Sequence, residues 1–119
     1  MTVKKMIDFS LKSYNINAKS FELPLHDREA LENYFIYGYA PGGFLTSMLA
    51  NDVHRAAGNA DQTNKEMMWV VAYWIVTCAP HGSWGSYKQV DDWCNDKGGR
   101  RTAYAHPILK QYTMDVLSH

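Results

Sequence analysis

Asp52 is the residue whose surroundings most call for chemistry. Phe44, Leu45, Met48, Leu49, Val53 and Ala56 recur at helical spacing. At about 100° per residue, Asp52 falls inside that apolar stripe. A carboxylate there is expensive unless it is hydrogen-bonded. One reading makes Asp52 a general base or ligand-binding acid, with His54 or His81 beside it in a small hydrolase. The other makes it a staple, largely buried and accepting backbone N–H groups from a helix start or from the 81–86 loop. We read it as the staple. Asn51 and Arg55, four residues apart on one helix, then read as a solvated face, with an exposed polar platform shared with His54 as the alternative.

Three further stretches carry binding chemistry. His81-Gly-Ser-Trp84-Gly-Ser86 places a tryptophan between glycines, either as a wedge closing the core or as a platform on which a nucleobase stacks. Tyr34, Tyr37 and Tyr39 around Gly38, with Tyr87 and Tyr104, add further aromatic faces. Pro41-Gly42-Gly43 opens a helix whose free N–H groups can face an anion, with glycines allowing close approach; the plainer reading is a turn packed under another element. Arg100 and Arg101 follow Gly98-Gly99 and offer paired N–H donors to phosphate. The expected ligand-binding set is therefore Trp84, His81, Tyr87, Arg100, Arg101, Gly42, Gly43 and Tyr39. No catalytic residue, metal or cofactor is expected. His26, His54, His81, His106 and His119 fit no His-Glu-x-x-His spacing, and no nucleophile elbow or P-loop is present.

The elements that must position these residues are helical. Asp27 caps a first helix over about 27–37, with Gly38 at its left-handed C-terminal position. A second helix runs over about 42–57 with Pro41 in its opening turn. Asp61 caps a third over about 62–78, apolar nearly all round and stopped by Pro80. Ser86 caps a fourth over about 87–97. Ile108 to Leu117, with Pro107 at its start, makes a short last helix. The expected fold is all-α, a compact bundle of about four helices. Residues 1–24 form an N-terminal arm with a short extended segment at 19–23, residues 25–97 the helical core, and residues 98–119 a C-terminal extension on the same domain. Trp69, Trp74 and Ile75 should be among the least accessible residues unless one face is an oligomer interface, for which Tyr37, Tyr39 and Trp69 are the candidates.

Bulk chemistry limits the partners. Twelve basic residues balance twelve acidic ones, so there is no long-range field to gather a nucleic-acid backbone. Lys88, Lys97, Arg100, Arg101 and Lys110 still make a local basic patch possible. Cys78 and Cys94 match no zinc or redox spacing and read as buried free thiols. Met67 to Ala79 is too short to span a bilayer, and the first residues lack a secretory apolar run, which points to a cytoplasmic protein. Because the 62–78 helix is apolar on every side, a homo-oligomer is expected.

The run His26-Asp27-Arg28-Glu29-Ala30-Leu31, then Tyr34, Gly38, Pro41-Gly42-Gly43-Phe44-Leu45, Leu49, Asn51-Asp52, Ala56, Ala60-Asp61 and Asn64, resembles a family of small tailed-phage accessory proteins. Ala79-Pro80, Trp84-Gly85-Ser86 and Trp93 continue the likeness, which covers about residues 25–95. It implies a phage-encoded protein of the host cytoplasm and brings neither an activity nor catalytic residues. It also implies that Pro41 to Phe44, Asn51-Asp52 and Trp84 to Ser86 belong to one framework. The expected function is binding without turnover, as counter-defence that sequesters a nucleotide-derived immune signal. The alternatives are an inhibitor that covers a host protein and a small hydrolase. A concave aromatic pocket with convergent arginines would favour the first, and an apolar patch of several hundred Å² the second.

Overall fold

A computed structural model of the chain describes Leu23 and residues 25–117; the expected N-terminal arm lies outside the described residues apart from Leu23. Those residues form six helices and no strand: α1 (Leu25–Tyr37), α2 (Gly43–Leu49), α3 (Val53–Asn59), α4 (Gln62–Cys78), α5 (Tyr87–Cys94) and α6 (Arg100–Leu117), with a 3₁₀ turn at Lys97–Gly99 before α6. The all-α class is as expected, with six helices in place of about four.

The extra count has local causes. The 42–57 segment is two helices because Ala50 closes the first and Asn51 takes a left-handed backbone, φ 63°. Asparagine is among the few residues that tolerate that region. Asp52 follows with a non-helical backbone, φ −110° and ψ 77°, and its carboxylate caps α3, accepting the Arg55 N–H at 3.3 Å. The stripe that continued through Val53 is broken there, and Val53 points to solvent. The last helix begins at Arg100, eight residues before the expected start. Asp96 staples its opening turn by accepting the Thr102 N–H at 3.0 Å. Pro107 lies inside α6 and deletes the bond to the Ala103 carbonyl. Ala103 is exposed, so water can satisfy that oxygen.

Other ends follow their residue types. Asp61 accepts the Asn64 N–H at 2.8 Å to start α4, and Ser86 accepts the Gln89 N–H at 3.1 Å to start α5. Gly38 ends α1 at φ 74°, donating to the Tyr34 carbonyl. Asp27 is not the α1 cap: the helix starts at Leu25 and Asp27 sits buried in its first turn. Burial raises its pKa, against the pull of His26 and a hydrogen bond from Asn64. Pro41 precedes α2 and does not enter it; its carbonyl accepts the Thr46 hydroxyl at 2.7 Å.

The core gathers one face of each helix. Phe35 stacks on Trp74 with centroids 5.8 Å apart, and Tyr34, Trp93 and Tyr104 complete an aromatic cluster. Ile36, Ala105 and Ile108 form a smaller cluster that seats α6 on α1. Val71, Trp74, Ile75 and Cys78 form the inner face of α4. Trp69 does not join them. It lies two residues, about 200°, from Val71 and is 73% exposed. Cys78 and Cys94 are free thiols, Cys78 buried and pushed up to about 12 by that burial, Cys94 only partly buried. No helix among the described residues is long and apolar enough to cross a membrane.

Candidate functional site

The 81–86 loop is the piece around which a site assembles. Ser83 is fully buried, and its hydroxyl donates to the Pro80 carbonyl at 2.6 Å. The Ser83 carbonyl accepts the buried Tyr34 hydroxyl at 2.6 Å. Two residues on, the Gly85 N–H donates to the Leu49 carbonyl at 2.7 Å. The loop is therefore pinned to α1 on one side and to the end of α2 on the other. Trp84, held between the two pins, is partly buried and packs against the core while one side faces outward. Its packing against the core fits the expected wedge.

That outward side lines a groove of about 150 Å³. Met48, Asn51, Asp52 and Val53 form one wall, and Ala72, Ile75 and Val76 of α4 form the other. The groove is mainly apolar with a polar rim. Asn51 carries its amide at the edge, and the Asp52 carboxylate accepts the Tyr87 hydroxyl at 2.6 Å. Asp52 is thus a staple that ties the α2–α3 turn to α5, but it is not largely buried; it lies in a partly open position because the backbone breaks there. The Arg55 guanidinium sits 5.9 Å from the Tyr87 ring centre, a cation–π contact on the same rim. The Asn51–Arg55 helical platform is not formed, since Asn51 stands in the turn outside α3.

Beyond Val76 the outer face of α4 continues as an apolar stripe. Trp69, Tyr73 and Val76, at i, i+4 and i+7, are 73%, 57% and 65% exposed. Val53, across the groove, is 56% exposed.

The remaining expected ligand residues disperse. Tyr39 is exposed and stacks on Tyr37 with centroids 6.0 Å apart. His81 is exposed. Gly42 faces open space at the α2 start, whereas a Cβ on Gly43 would stand 3.3 Å from the Asn59 amide, so that turn is packed on one side. Arg101 is committed inward: Nε donates to the Trp93 carbonyl at 3.2 Å and Nη1 to the Ile36 carbonyl at 3.1 Å. It closes the ends of α5 and α1, which removes it from the phosphate-gripping role. Arg100 alone turns outward, beside Gly82, Lys88 and Lys97 in a separate cleft. Among the described residues no group of three or more His, Cys, Asp or Glu could hold a metal ion.

Sequence reasoning missed Met48, Ala72 and Val76 as groove walls and Lys88 and Lys97 as cleft walls. The all-round apolarity of α4 was the available signal for Ala72 and Val76, and the apolar stripe of the 42–57 segment for Met48. The run of cations from Lys88 to Lys110 pointed to a basic patch, but the cleft itself needs the turn at 97–99 to fold back on α5.

The Tyr87–Asp52 bond sets a pH expectation. The hydroxyl of Tyr87, then the Arg55 N–H, hold the Asp52 carboxyl below its ordinary range. A lowered folded-state pKa contributes stability that is complete above the unfolded value of about 3.9 and is lost as pH falls through the folded value. Tyr87→Phe removes the largest cause, so the Asp52 pKa should rise towards about 3.9 in a carbon-detected NMR titration. An unchanged value would assign the shift to the backbone donor and nearby charges instead.

No protein-family model, curated protein or solved structure matches the chain.

Proposed function

We propose that the protein works by binding another protein, without turnover, through the groove and the outer face of α4. The observation that carries this reading is the exposed stripe. Trp69 and Tyr73 alone leave roughly 300 Å² of aromatic surface uncovered before Val53 and Val76 are added. That is already the size of the largest apolar patch on a typical monomer. Exposed tryptophan and tyrosine at the centre of a patch are the residue types that dominate protein interfaces. The groove adds a slot sized for one aliphatic side chain, and Asn51 and Asp52 on its rim offer acceptors to a partner's backbone N–H groups. In the phage accessory protein that the resemblance implies, such a surface would cover and block a host protein.

The nucleotide-sequestering reading has less behind it. Trp84 lines the groove, Arg100 lines another cleft, Arg101 serves two backbone carbonyls, and Tyr39 stacks on its neighbour. The hydrolase reading needs a free carboxylate at Asp52, whose two oxygens instead accept the Tyr87 hydroxyl and the Arg55 N–H, although His54 is near it.

The test is a pair of surface variants, Trp69→Ser and Val76→Asp, measured by quantitative capture of a partner cross-linked through position 73. Each should weaken binding by roughly 30-fold or more, the scale of an interface hot spot. Each should change stability by less than about 0.5 kcal/mol, as for ordinary surface substitutions. Capture that is equal for the wild-type protein and both variants would reject the α4 face. A stable dimer of this chain, dissociated by the same two changes, would make the partner a second copy.

A further inference from the structure

We propose that the cleft between α5, the 97–99 turn and the start of α6 binds the phosphate group of a small molecule. The cleft encloses about 270 Å³ and is separate from the groove beside α4. Lys88, Lys97 and Arg100 reach it from three successive elements, and Asp92 is the single carboxylate in its wall. Asp92 accepts Lys88 at 2.8 Å and lies 3.9 Å from Lys97. No carboxylate among the described residues pairs with Arg100. Two positive charges are therefore left in excess, and one of them is a guanidinium whose fork of N–H groups is unoccupied. Exposed Asp91, next along α5, adds a weaker opposing charge through its effect on Lys88.

Shape selects further. Gly82 has φ 90°, and a Cβ there would come within 3.1 Å of Arg100 Nη1 and 3.2 Å of its Cδ. A bare backbone at 82 thus lets the arginine stem lie against the loop while its head faces the cleft. Trp93, almost wholly buried, supplies an apolar floor. A phosphate monoester carries about −1.5 to −2 charge at neutral pH and several acceptor oxygens, which suits a cavity holding two unbalanced positive charges and a planar donor fork. The volume admits that group with a small substituent; it is below the usual span of about 300–1,000 Å³ for larger ligands. Long nucleic acids are poorly served, since their affinity rests on many separated phosphate contacts and the chain is neutral overall. This site is independent of the protein-binding surface.

The experiment is an NMR titration of the full chain with inorganic phosphate at low ionic strength, where exposed charges are least screened. Saturable shifts should centre on the amides of Gly82, Gly98 and Arg100. Arg100→Gln should weaken binding about tenfold or more, the scale of one charge-assisted hydrogen bond. Asp92→Asn should tighten it, because the only carboxylate in the wall loses its charge and frees Lys88. Lys110→Gln, a cation outside the cleft, should leave it unchanged. All three substitutions are on exposed or partly exposed surface, and the Lys88–Asp92 pair is of the exposed kind that adds little to folding. Shifts that stay linear, that spread evenly over all cations, or that weaken equally with Lys110→Gln would overturn the site. So would Asp92→Asn weakening the interaction.

Discussion

Gly38→Ala should destabilise the fold by about 3–5 kcal/mol, enough to consume much of a small domain's stability. Two causes add. The backbone at Gly38 is left-handed, φ 74°, which costs an L-residue about 1–2 kcal/mol. The new Cβ would also stand 2.8 Å from the Cys94 carbonyl oxygen and 2.6 Å from Arg101 Nε. The side chain can swing away, but the carbonyl belongs to the end of α5 and cannot. Either the α1 turn opens or Arg101 leaves its carbonyls, losing hydrogen bonds from a charged donor worth about 1.5–3 kcal/mol. Urea unfolding followed by circular dichroism measures the loss. Gly58→Ala is the matched comparison, since Gly58 is helical and its Cβ meets nothing within 4 Å. It should raise stability by about 0.5–1 kcal/mol. A Gly38→Ala midpoint equal to that of the wild-type protein would contradict the geometry.

Arg101→Met should lower stability by about 2–4 kcal/mol, with the methionine keeping most of the stem's packing. The guanidinium spans two helix ends that have no intrahelical donors for their last carbonyls, Ile36 in α1 and Trp93 in α5. Removing it leaves the Ile36 oxygen short of a partner in a partly buried place, at about 1–3 kcal/mol when unrelieved, and takes the charged donor from the Trp93 oxygen, which keeps only the Asp96 N–H at 3.1 Å. Arg101→Lys restores charge but not the fork, so it should recover only part of the loss. An arginine held out to grip phosphate would give the opposite pattern, with near-neutral stability and weakened anion binding. That second pattern is expected for Arg100, one residue earlier, so the adjacent pair separates structural from binding chemistry within one titration series.

These two residues also show what a sequence can and cannot convey. Gly38 was legible as a helix stop because a glycine after an amphipathic run has a local meaning. So were Asp61 and Ser86 as caps, which need only a side-chain oxygen three residues before its target N–H. The inner face of α4 followed from its period. Arg101 was not legible, because its partners lie in two helices distant in sequence, at Ile36 and Trp93. The 42–57 segment misled for a different reason. An apolar stripe reports which side of a helix faces the core and nothing about φ, so a left-handed asparagine interrupts the helix without disturbing the pattern. Apolarity alone leaves Trp69 open to both core and interface, and only its angle from Val71 places it outside. For the candidate site, Trp84 and Asp52 stand out by residue type and setting, and both line the groove. Its α4 wall and the basic cleft depend on packing between elements, which spacing along the chain does not encode.

The uneven placement of the four tryptophans makes the molecule its own optical instrument. Trp74 and Trp93 are sealed in the core, Trp84 is half covered, and Trp69 is the one indole standing in water. Collisional quenchers such as iodide reach the last far more readily than the first two. Loss of quenching with no change in the buried emission would therefore report occupancy of the α4 face, while a red shift of the whole spectrum would report unfolding. The two events that most variants confuse, weakened association and a loosened core, become separable in one unlabelled sample.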